Sequence, residues 1–137
     1  MRHLLILAGT GEARQVLAWL ATSKRFQVTA SLAGVTSTPQ PLGVKTRFGG
    51  FGGVAGLADW VRQHKVDIIL DMTHPYAAQM SRHVAVVAQQ LFVPTFAFYR
   101  LPWVAGEQDN WSEFDTWSAM ASAVPANAKI FLAGGSR

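Results

Sequence analysis

Compact apolar runs alternate with apolar stripes of helical spacing along the chain. Predicted strands lie at residues 3–8, 26–32, 66–72, 94–99 and 129–133, and the first of them is typical of a strand buried on both faces. The stripes, in which apolar residues recur every three or four positions, lie at residues 13–24, 54–65, 76–91 and 116–124. Strands that alternate with helices of these lengths build βαβ units. The pattern therefore predicts an α/β fold with a Rossmann-like, doubly wound parallel sheet.

Composition narrows the classes of protein and site. Half of the 137 residues are hydrophobic and only 15% are charged, which excludes a disordered chain. The net charge is +4 without any basic run, and both a nucleic acid and a polyanionic small molecule suit it. The chain has no cysteine and no helical His pair flanking a carboxylate, so we predict no metal site. Its first apolar run is too short for a membrane span or a signal peptide, which makes the cytoplasm the default location.

A glycine motif stands between the first predicted strand and the first predicted helix. It consists of Gly9, Thr10, Gly11, Glu12 and Ala13. Glycines at such a turn let the backbone approach a pyrophosphate, and the N-terminus of the helix directs free N–H groups at it. The match to the dinucleotide fingerprint is partial, because Arg14 stands at the third glycine position. An ordinary tight turn is the alternative, but the position favours a cofactor site.

The end of the predicted strand 26–32 bears on the choice of cofactor. NAD-binding proteins usually place a carboxylate there, which holds the ribose 2′-OH. Here Ser31 is followed by Leu32, Ala33 and Gly34, without an acid. Ser31 can bond a 2′-phosphate, so the sequence favours NADPH over NADH, although NADH stays possible. Alternatively, Ser31 merely begins a loop.

A second glycine-rich segment runs from Arg47 through Gly53. Four glycines surround Phe51 within five residues, a composition that suits neither a helix nor a strand. A ligand or another backbone segment can approach such a loop closely, which makes Gly49, Gly50 and Phe51 candidate cofactor contacts. The alternative of a flexible linker is weaker, because linkers prefer Ser to Phe.

Thr73 and His74 follow the predicted strand 66–72. In open α/β sheets ligands bind outside the carboxyl ends of the strands, so both are candidate cofactor contacts. His74 can also orient a nicotinamide or donate a proton, which makes it the candidate catalytic residue. Equally, Thr73 or His74 can cap a helix that Pro75 opens. The other histidines lack such a setting, and we expect them to be structural or surface residues.

Arg100 and Trp103 follow the predicted strand 94–99. The arginine can clamp a carboxylate with two hydrogen bonds, and the tryptophan can stack on a flat ligand. Both are therefore candidate substrate contacts, together with Arg47. A solvated Arg and a core Trp are the alternative.

Taken in order, these segments resemble the precorrin-6A reductase family of cobalamin biosynthesis. The resemblance covers essentially the whole chain, and the Gly-Gly-Phe-Gly-Gly and Thr-His-Pro segments are its most specific parts. The chain departs from the family pattern at three positions: Val35, where an Arg is common; Ala8, often Gly; and Leu101, often Pro or Ala. Val35 puts one cationic contact in doubt.

The resemblance implies that NADPH transfers a hydride to a ring carbon of precorrin-6A and that the product is precorrin-6B. It implies a small-molecule corrinoid as the partner, with no nucleic acid and no membrane, and a monomer is favoured. A non-catalytic dinucleotide-binding module and another NAD(P)-dependent reductase are the alternatives. A short-chain-type reductase is disfavoured, because Met80 and not Lys stands four residues after Tyr76.

The end of the chain predicts an incomplete second domain. The run 129–133 leads into Gly134, Gly135, Ser136 and Arg137, which reads as a strand entering a glycine turn. Full-length members of the family continue into a second α/β domain near Phe131. We expect residues 1–128 to form the dinucleotide-binding domain and residues 129–137 to begin a second domain that is missing. A chain of this kind should bind cofactor and reduce precorrin-6A poorly.

Overall fold

The chain folds into two compact units, which the computed structural model describes over residues 1–34, 41–75, 77–101 and 104–132. The first unit spans Met1–Leu101 and the second Pro102–Arg137. The strands are β1 (Arg2–Ala8), β2 (Phe26–Leu32), β3 (Lys45–Phe48), β4 (Ile68–Met72) and β5 (Thr95–Ala97). The helices are α1 (Gly11–Ala21), α2 (Gly53–Gln63), α3 (Ala78–Leu91) and α4 (Trp117–Ala123). None of the helices in the described ranges has the length and hydropathy that crossing a bilayer requires.

The five strands of the first unit form one parallel sheet in the order β3-β2-β1-β4-β5. The chain moves outward from β1 through β2 to β3, then returns to the other side of β1 to form β4 and β5. Ala8 at the end of β1 is in register with Leu32 of β2 and with Met72 of β4. The order therefore reverses between β1 and β4, and a crevice for ligands is expected outside the carboxyl ends of those two strands.

Helices cover both faces of the sheet. Alternate residues of β1 point to opposite faces, so that Leu4 and Ile6 pack with α1 while Leu5 and Leu7 pack with α2 and α3. Leu5 and Ile6 are both fully buried. Burial on both faces is the reason that β1 reads as a continuous apolar run. The predicted α/β class with a doubly wound parallel sheet is confirmed.

β3 is an element that the apolar pattern did not predict. It is a four-residue strand, Lys45–Phe48, and in the described residues it pairs with β2 alone. An edge strand has little need of a continuous apolar run, and two of its four residues are basic. The described residues between β2 and β3 contain no helix, and Leu42 and Val44 pack instead against the core on the side of α1.

The start of α3 differs from the prediction. The helix begins at Ala78, and its N-cap is Ala77, which makes no side-chain cap hydrogen bond. The predicted cap from Thr73 or His74 is therefore wrong, and Pro75 does not lie in the first helical turn. The physical reason is that the Thr73 hydroxyl bonds Asp71 instead, while the N–H of Ala77 closes a turn onto the carbonyl of His74 at 2.8 Å. Tyr76 lies outside the described residues.

The second unit contains α4, which agrees with the predicted helix over 116–124. Thr116 caps it, its hydroxyl accepting from the N–H of Ala119 at 3.1 Å. The strand predicted at 129–133 is wrong for residues 129–132, which form no strand. Their side chains are exposed, and no described strand pairs with them, so an apolar run alone does not make a strand here. Residues 133–137 lie outside the described residues, and the domain start expected at 129 stays a prediction.

Candidate functional site

The turn after β1 lies directly against the segment after β4. At Gly9 an added Cβ would stand 3.2 Å from the backbone nitrogen of His74 and 3.5 Å from the Cα of Thr73. The hydroxyl of Thr10 donates to the carbonyl of Met72 across 3.3 Å. Two motifs that the Thr10–Met72 hydrogen bond joins across 62 positions of sequence therefore meet at the point where the strand order reverses. A side chain at position 9 would therefore press on the backbone of the segment after β4.

The N-terminus of α1 opens onto this crevice. Thr10 is its N-cap, with an extended backbone and a hydroxyl that accepts from the N–H of Ala13 at 3.2 Å. An added Cβ at Gly11 would have no atom of the described residues within 4 Å, so among these residues the surface beside the first turn is open. Ala13 itself is fully buried and contributes its methyl group to the core. An open helix N-terminus of this kind attracts anions.

Ser31 and Arg47 meet at the carboxyl end of β2. They are in register across the β2–β3 pair, and the guanidinium of Arg47 donates to the Ser31 hydroxyl at 2.7 Å. The same guanidinium donates to the carbonyls of Gly49 and Gly50, each at 2.9 Å. Burial lowers the pKa of Arg47, and its guanidinium nevertheless stays protonated at neutral pH. The end of β2, where the sequence predicted Ser31 as the cofactor contact, therefore also holds the positive charge of Arg47.

The glycine-rich loop is folded around Phe51. The ring of Phe51 lies 3.8 Å below the Arg47 guanidinium and packs edge-on against Trp60 at 5.7 Å. The N–H of Gly49 bonds the carbonyl of Leu32 at 2.9 Å, which fastens the loop to the end of β2. An added Cβ at Gly56 of α2 would stand 1.7 Å from the Phe51 carbonyl oxygen. These contacts argue against a flexible linker and place the loop at the carboxyl edge of the sheet.

Asp71 is a buried acid at the end of β4 that sequence reasoning did not select as a site residue. One carboxylate oxygen accepts from the N–H of Thr73 at 3.0 Å and from its hydroxyl at 2.7 Å. The other accepts from the hydroxyl of Ser81 in α3 at 2.6 Å. The sequence does hold a signal for it, an aspartate inside an otherwise apolar strand. A buried acid needs several hydrogen-bond donors around it, so such a residue indicates a local polar network.

Glu12 and Arg100 form an ion pair that links the turn after β1 to the residues after β5. The guanidinium of Arg100 donates to one carboxylate oxygen of Glu12. That hydrogen bond, aided by one from the backbone of Glu12 itself, lowers the pKa of the Glu12 carboxyl. The second oxygen, Oε2, is enclosed and has no hydrogen-bond partner among the described residues. A candidate cofactor residue and a candidate substrate residue are thus in direct contact.

Two residues remain from the sequence analysis, the histidine His3 and the candidate substrate contact Trp103. His3 is buried, and its ring bonds the Thr29 hydroxyl at 2.8 Å and the carbonyl of His64 at 2.7 Å, in keeping with the expected structural role. Trp103 lies outside the described residues. Across the described part of the chain, no three His, Asp or Glu side chains are grouped closely enough to hold a metal ion.

Known proteins share both the sequence and the fold. A family model described as precorrin-6x reductase CbiJ/CobK matches residues 3–137. The precorrin-6A reductase of Rhodobacter capsulatus is 42% identical over 136 residues, which are 98% of this chain and 54% of that protein. The precorrin-6A reductase of a Sinorhizobium species is 41% identical over 134 residues, which are 97% of this chain and 51% of that protein. The chain spans about half the length of the curated relatives it matches.

Solved structures agree with this relationship. A CobK precorrin-6A reductase superposes with a TM-score of 0.79 at 41% identity, over 91% of this chain and 49% of that one. The apo saccharopine dehydrogenase of Saccharomyces cerevisiae has a TM-score of 0.58 at 18% identity, over 74% of this chain and 23% of that one, which is a likeness of fold alone. The family match and these relatives confirm the resemblance found in the sequence: the chain belongs to the precorrin-6x reductase CbiJ/CobK family.

Proposed function

We propose that this chain is the nucleotide-binding part of a precorrin-6A reductase and that its cofactor is NADPH. The observation that carries the proposal is the arrangement at the carboxyl edge of the sheet. The open N-terminus of α1 and the Arg47–Ser31 pair lie at the ends of the neighbouring strands β1 and β2. In dinucleotide-binding folds the pyrophosphate and the adenosine ribose occupy these two positions.

The residues present fit the pyrophosphate of such a cofactor. A Cβ at Gly11 would project into open space beside the first turn of α1, so glycine leaves room there for a ligand. Gly9, Thr10 and Gly11 would hold the pyrophosphate through backbone groups and the charge of the helix terminus. Glu12 is engaged by Arg100, so its negative charge is partly offset beside this site.

The Arg47–Ser31 pair supports NADPH in preference to NADH. A guanidinium has five N–H donors, and three are used on Ser31, Gly49 and Gly50. Among the described residues no acceptor engages the other two, which leaves them for a phosphate in the two-pronged geometry that Arg favours. No acid stands between Ser31 and Gly34 to hold a 2′-OH. Arg47, expected from the sequence to bind substrate, is therefore proposed to bind the 2′-phosphate.

Thr73 and His74 would contact the nicotinamide end of the cofactor. Bound NADPH supplies the hydride for the ring carbon of precorrin-6A. The chain's own part is to hold the nicotinamide against the segment after β4, with His74 orienting it or donating the proton that completes precorrin-6B. Gly49, Gly50 and Phe51 would cover the adenosine side of the crevice.

The enzyme is proposed to work in the cytoplasm as a monomer.

Arg100 is proposed to meet the substrate. Its side chain is about half exposed (52%), and one edge of its guanidinium is bound to Glu12. Its other N–H donors have no acceptor among the described residues and would bind the carboxylates of a corrinoid, for which fork-shaped guanidinium groups are well suited. The same exposure would let these carboxylates approach without removing Arg100 from Glu12. Trp103 is proposed to stack on the macrocycle.

Two measurements test the proposal, and they separate cofactor binding from turnover. Titration calorimetry should give a lower Kd for NADPH than for NADH, and equal affinities or a preference for NADH would refute the choice of cofactor. NADPH oxidation with precorrin-6A should be slow for the 137-residue chain. It should be fast for a version to which the second half of a full-length relative has been added. A chain that binds neither cofactor would not be a nucleotide-binding part at all.

A further inference from the structure

We propose that Asp71 is a positioning residue that holds the Thr73–His74 segment against the turn at Gly9 and thereby sets the affinity of the nucleotide site. The inference rests on the proposed function to the extent that NADPH is the probe. Asp71 itself faces α3 and does not line the crevice, because its two oxygens are occupied by Thr73 and Ser81. It would therefore act through the segment that it holds.

The carboxylate of Asp71 is fully engaged on three donors. Asp71 is only 3% exposed, so water contributes little to its solvation. The Thr73 N–H at 3.0 Å, the Thr73 hydroxyl at 2.7 Å and the Ser81 hydroxyl at 2.6 Å replace that solvation. A buried acid with fewer donors would be strongly unfavourable. The geometry of Thr73 is thus dictated by a group that cannot easily give up its partners.

The same residue ties together three elements around the crevice. Its backbone carbonyl accepts from the N–H of Phe98 at 2.8 Å, just beyond β5. Ser81 belongs to the first turn of α3, so the helix that follows the segment is anchored to the strand that precedes it. The loop between β4 and α3 is therefore fixed at both ends.

The held segment lies close against the turn after β1. A Cβ at Gly9 would be 3.2 Å from the nitrogen of His74, a separation tighter than ordinary van der Waals contact. Glycine leaves this narrow space unfilled, and a shift of Thr73 toward β1 would reduce it. A shift away would open the crevice at the place where the nicotinamide is proposed to lie. Binding loops need this kind of support to keep a productive geometry.

The substitutions Asp71→Ala and Asp71→Asn test what the side chain of Asp71 contributes. The alanine removes all of its hydrogen-bond acceptors, whereas the asparagine keeps its shape and one acceptor oxygen but not its charge. The alanine thus removes the acceptor of the Thr73 N–H and leaves the hydroxyls of Thr73 and Ser81, 3.4 Å apart, with only each other. The asparagine can keep its oxygen on Thr73 and turn its amide toward the Ser81 hydroxyl. Asp67→Ala is the matched control, because Asp67 accepts from the N–H of His3 at 2.6 Å at the opposite end of β4.

Three readouts on the full chain decide the question: the Kd for NADPH, the urea midpoint, and the hydrogen-exchange rate of the Thr73 amide. We expect D71A to bind NADPH about tenfold more weakly and D71N to stay within about threefold of the unsubstituted chain, the range expected for one charged hydrogen bond. The Thr73 amide should exchange at least about tenfold faster in D71A, as expected on losing its acceptor. D67A should lower the urea midpoint and leave the NADPH Kd unchanged.

Several outcomes would overturn the inference. They are a folded D71A chain with unchanged NADPH affinity, or a D67A chain that loses as much affinity as D71A. If D71A does not fold, Ser81→Ala decides, with a Kd raised about threefold expected and an unchanged Kd counting against the inference. Failure of the unsubstituted chain to bind NADPH would refute the proposed cofactor. In that case the exchange rate of Thr73 alone would still test the positioning role.

Discussion

Arg47 and Ser31 stand opposite each other in the register of β3 and β2 and share a hydrogen bond of 2.7 Å. The arginine is also held by two glycine carbonyls and lies 3.8 Å over the ring of Phe51. A long cationic side chain usually loses much rotamer freedom when it binds a ligand. Here the guanidinium is already ordered, so a phosphate that it binds meets a preorganised donor.

Substitution of Arg47 by glutamine should remove the preference for NADPH. The expected change is a rise in the NADPH Kd by about tenfold or more, the size of a lost charge-assisted hydrogen bond, with the NADH Kd within about twofold. Calorimetric titration of both cofactors measures the two values. NADH is the internal control for distortion of the glycine-rich loop, which Arg47 also supports. An equal loss for both cofactors would mean that Arg47 only supports the loop.

Substitution of Gly11 by valine should abolish cofactor binding and leave the fold intact. A Cβ at this position meets no atom of the described residues within 4 Å, so we expect the valine side chain to project into the space proposed for the pyrophosphate. We expect a urea midpoint close to that of the unsubstituted chain and an NADPH Kd raised at least about tenfold by the steric conflict. Unchanged affinity in a folded variant would show that the turn only connects β1 to α1.

Substitution of Gly9 by alanine should destabilise the fold. The added methyl group would press on the backbone nitrogen of His74 at 3.2 Å, and backbone does not move aside easily. We expect the free energy of unfolding to fall by about 1–3 kcal/mol, as for other overpacked sites. Urea denaturation measures this loss. A variant as stable as the unsubstituted chain would mean that the two turns have room to separate.

The apolar pattern predicted most of the sheet, because buried parallel strands carry the strongest signal. The strand predicted at 26–32 coincides with β2, and those at 3–8 and 66–72 overlap β1 and β4. β3 lacked such a signal because an edge strand needs to be apolar on one side at most. The start of α3 was misplaced since Pro75 suits a turn as well as a first helical turn.

The candidate site was predictable as a set of residues and not as a set of partners. Position after a strand identified the turn at Gly9–Gly11 and the segment Thr73–His74, because ligands bind at the carboxyl ends of strands. The pairings of Glu12 with Arg100 and of Arg47 with Ser31 depend on strand order and on register. The pairing of Arg47 with Ser31 could not be predicted because the edge strand β3 was missed. The pairing of Glu12 with Arg100 depends on the order of the strands, which one sequence does not give. Ser81 gave no signal, because nothing in its own neighbourhood indicates a buried acid.

Substitution of Gly56 by alanine should destabilise the protein although alanine is the better helix former. The added Cβ would stand 1.7 Å from the carbonyl oxygen of Phe51, so either the glycine-rich loop or α2 must move. Helix propensity alone would favour the variant by about 1 kcal/mol, whereas the collision should lower the free energy of unfolding by about 3 kcal/mol. Gly50→Ala is the control, because a Cβ there meets nothing within 4 Å. A G56A chain as stable as G50A would contradict the close approach of loop and helix.

The ion pair between Glu12 and Arg100 should make part of the stability depend on pH. The hydrogen bond from Arg100 lowers the pKa of the Glu12 carboxyl below its ordinary value of 4.5. The folded chain therefore releases this proton more readily than the unfolded chain, and the resulting stabilisation is complete above the ordinary value. As the pH falls through the lowered value, Glu12 becomes protonated, the ion pair is lost, and the stabilisation disappears. The contribution is small, because both side chains are partly exposed.

Comparison of the unsubstituted chain with Glu12→Gln isolates this contribution. The difference in their free energies of unfolding should be largest at neutral pH and should shrink as the pH falls through the titration range of Glu12. Urea denaturation at a series of pH values measures it, and NMR titration of the Glu12 carboxyl measures its pKa directly. In an Arg100→Gln chain the pKa should rise toward the ordinary value, because the largest cause of the shift has been removed. A difference between the two chains that stays constant with pH, or a Glu12 pKa unaffected by R100Q, would show that the two side chains do not pair in solution.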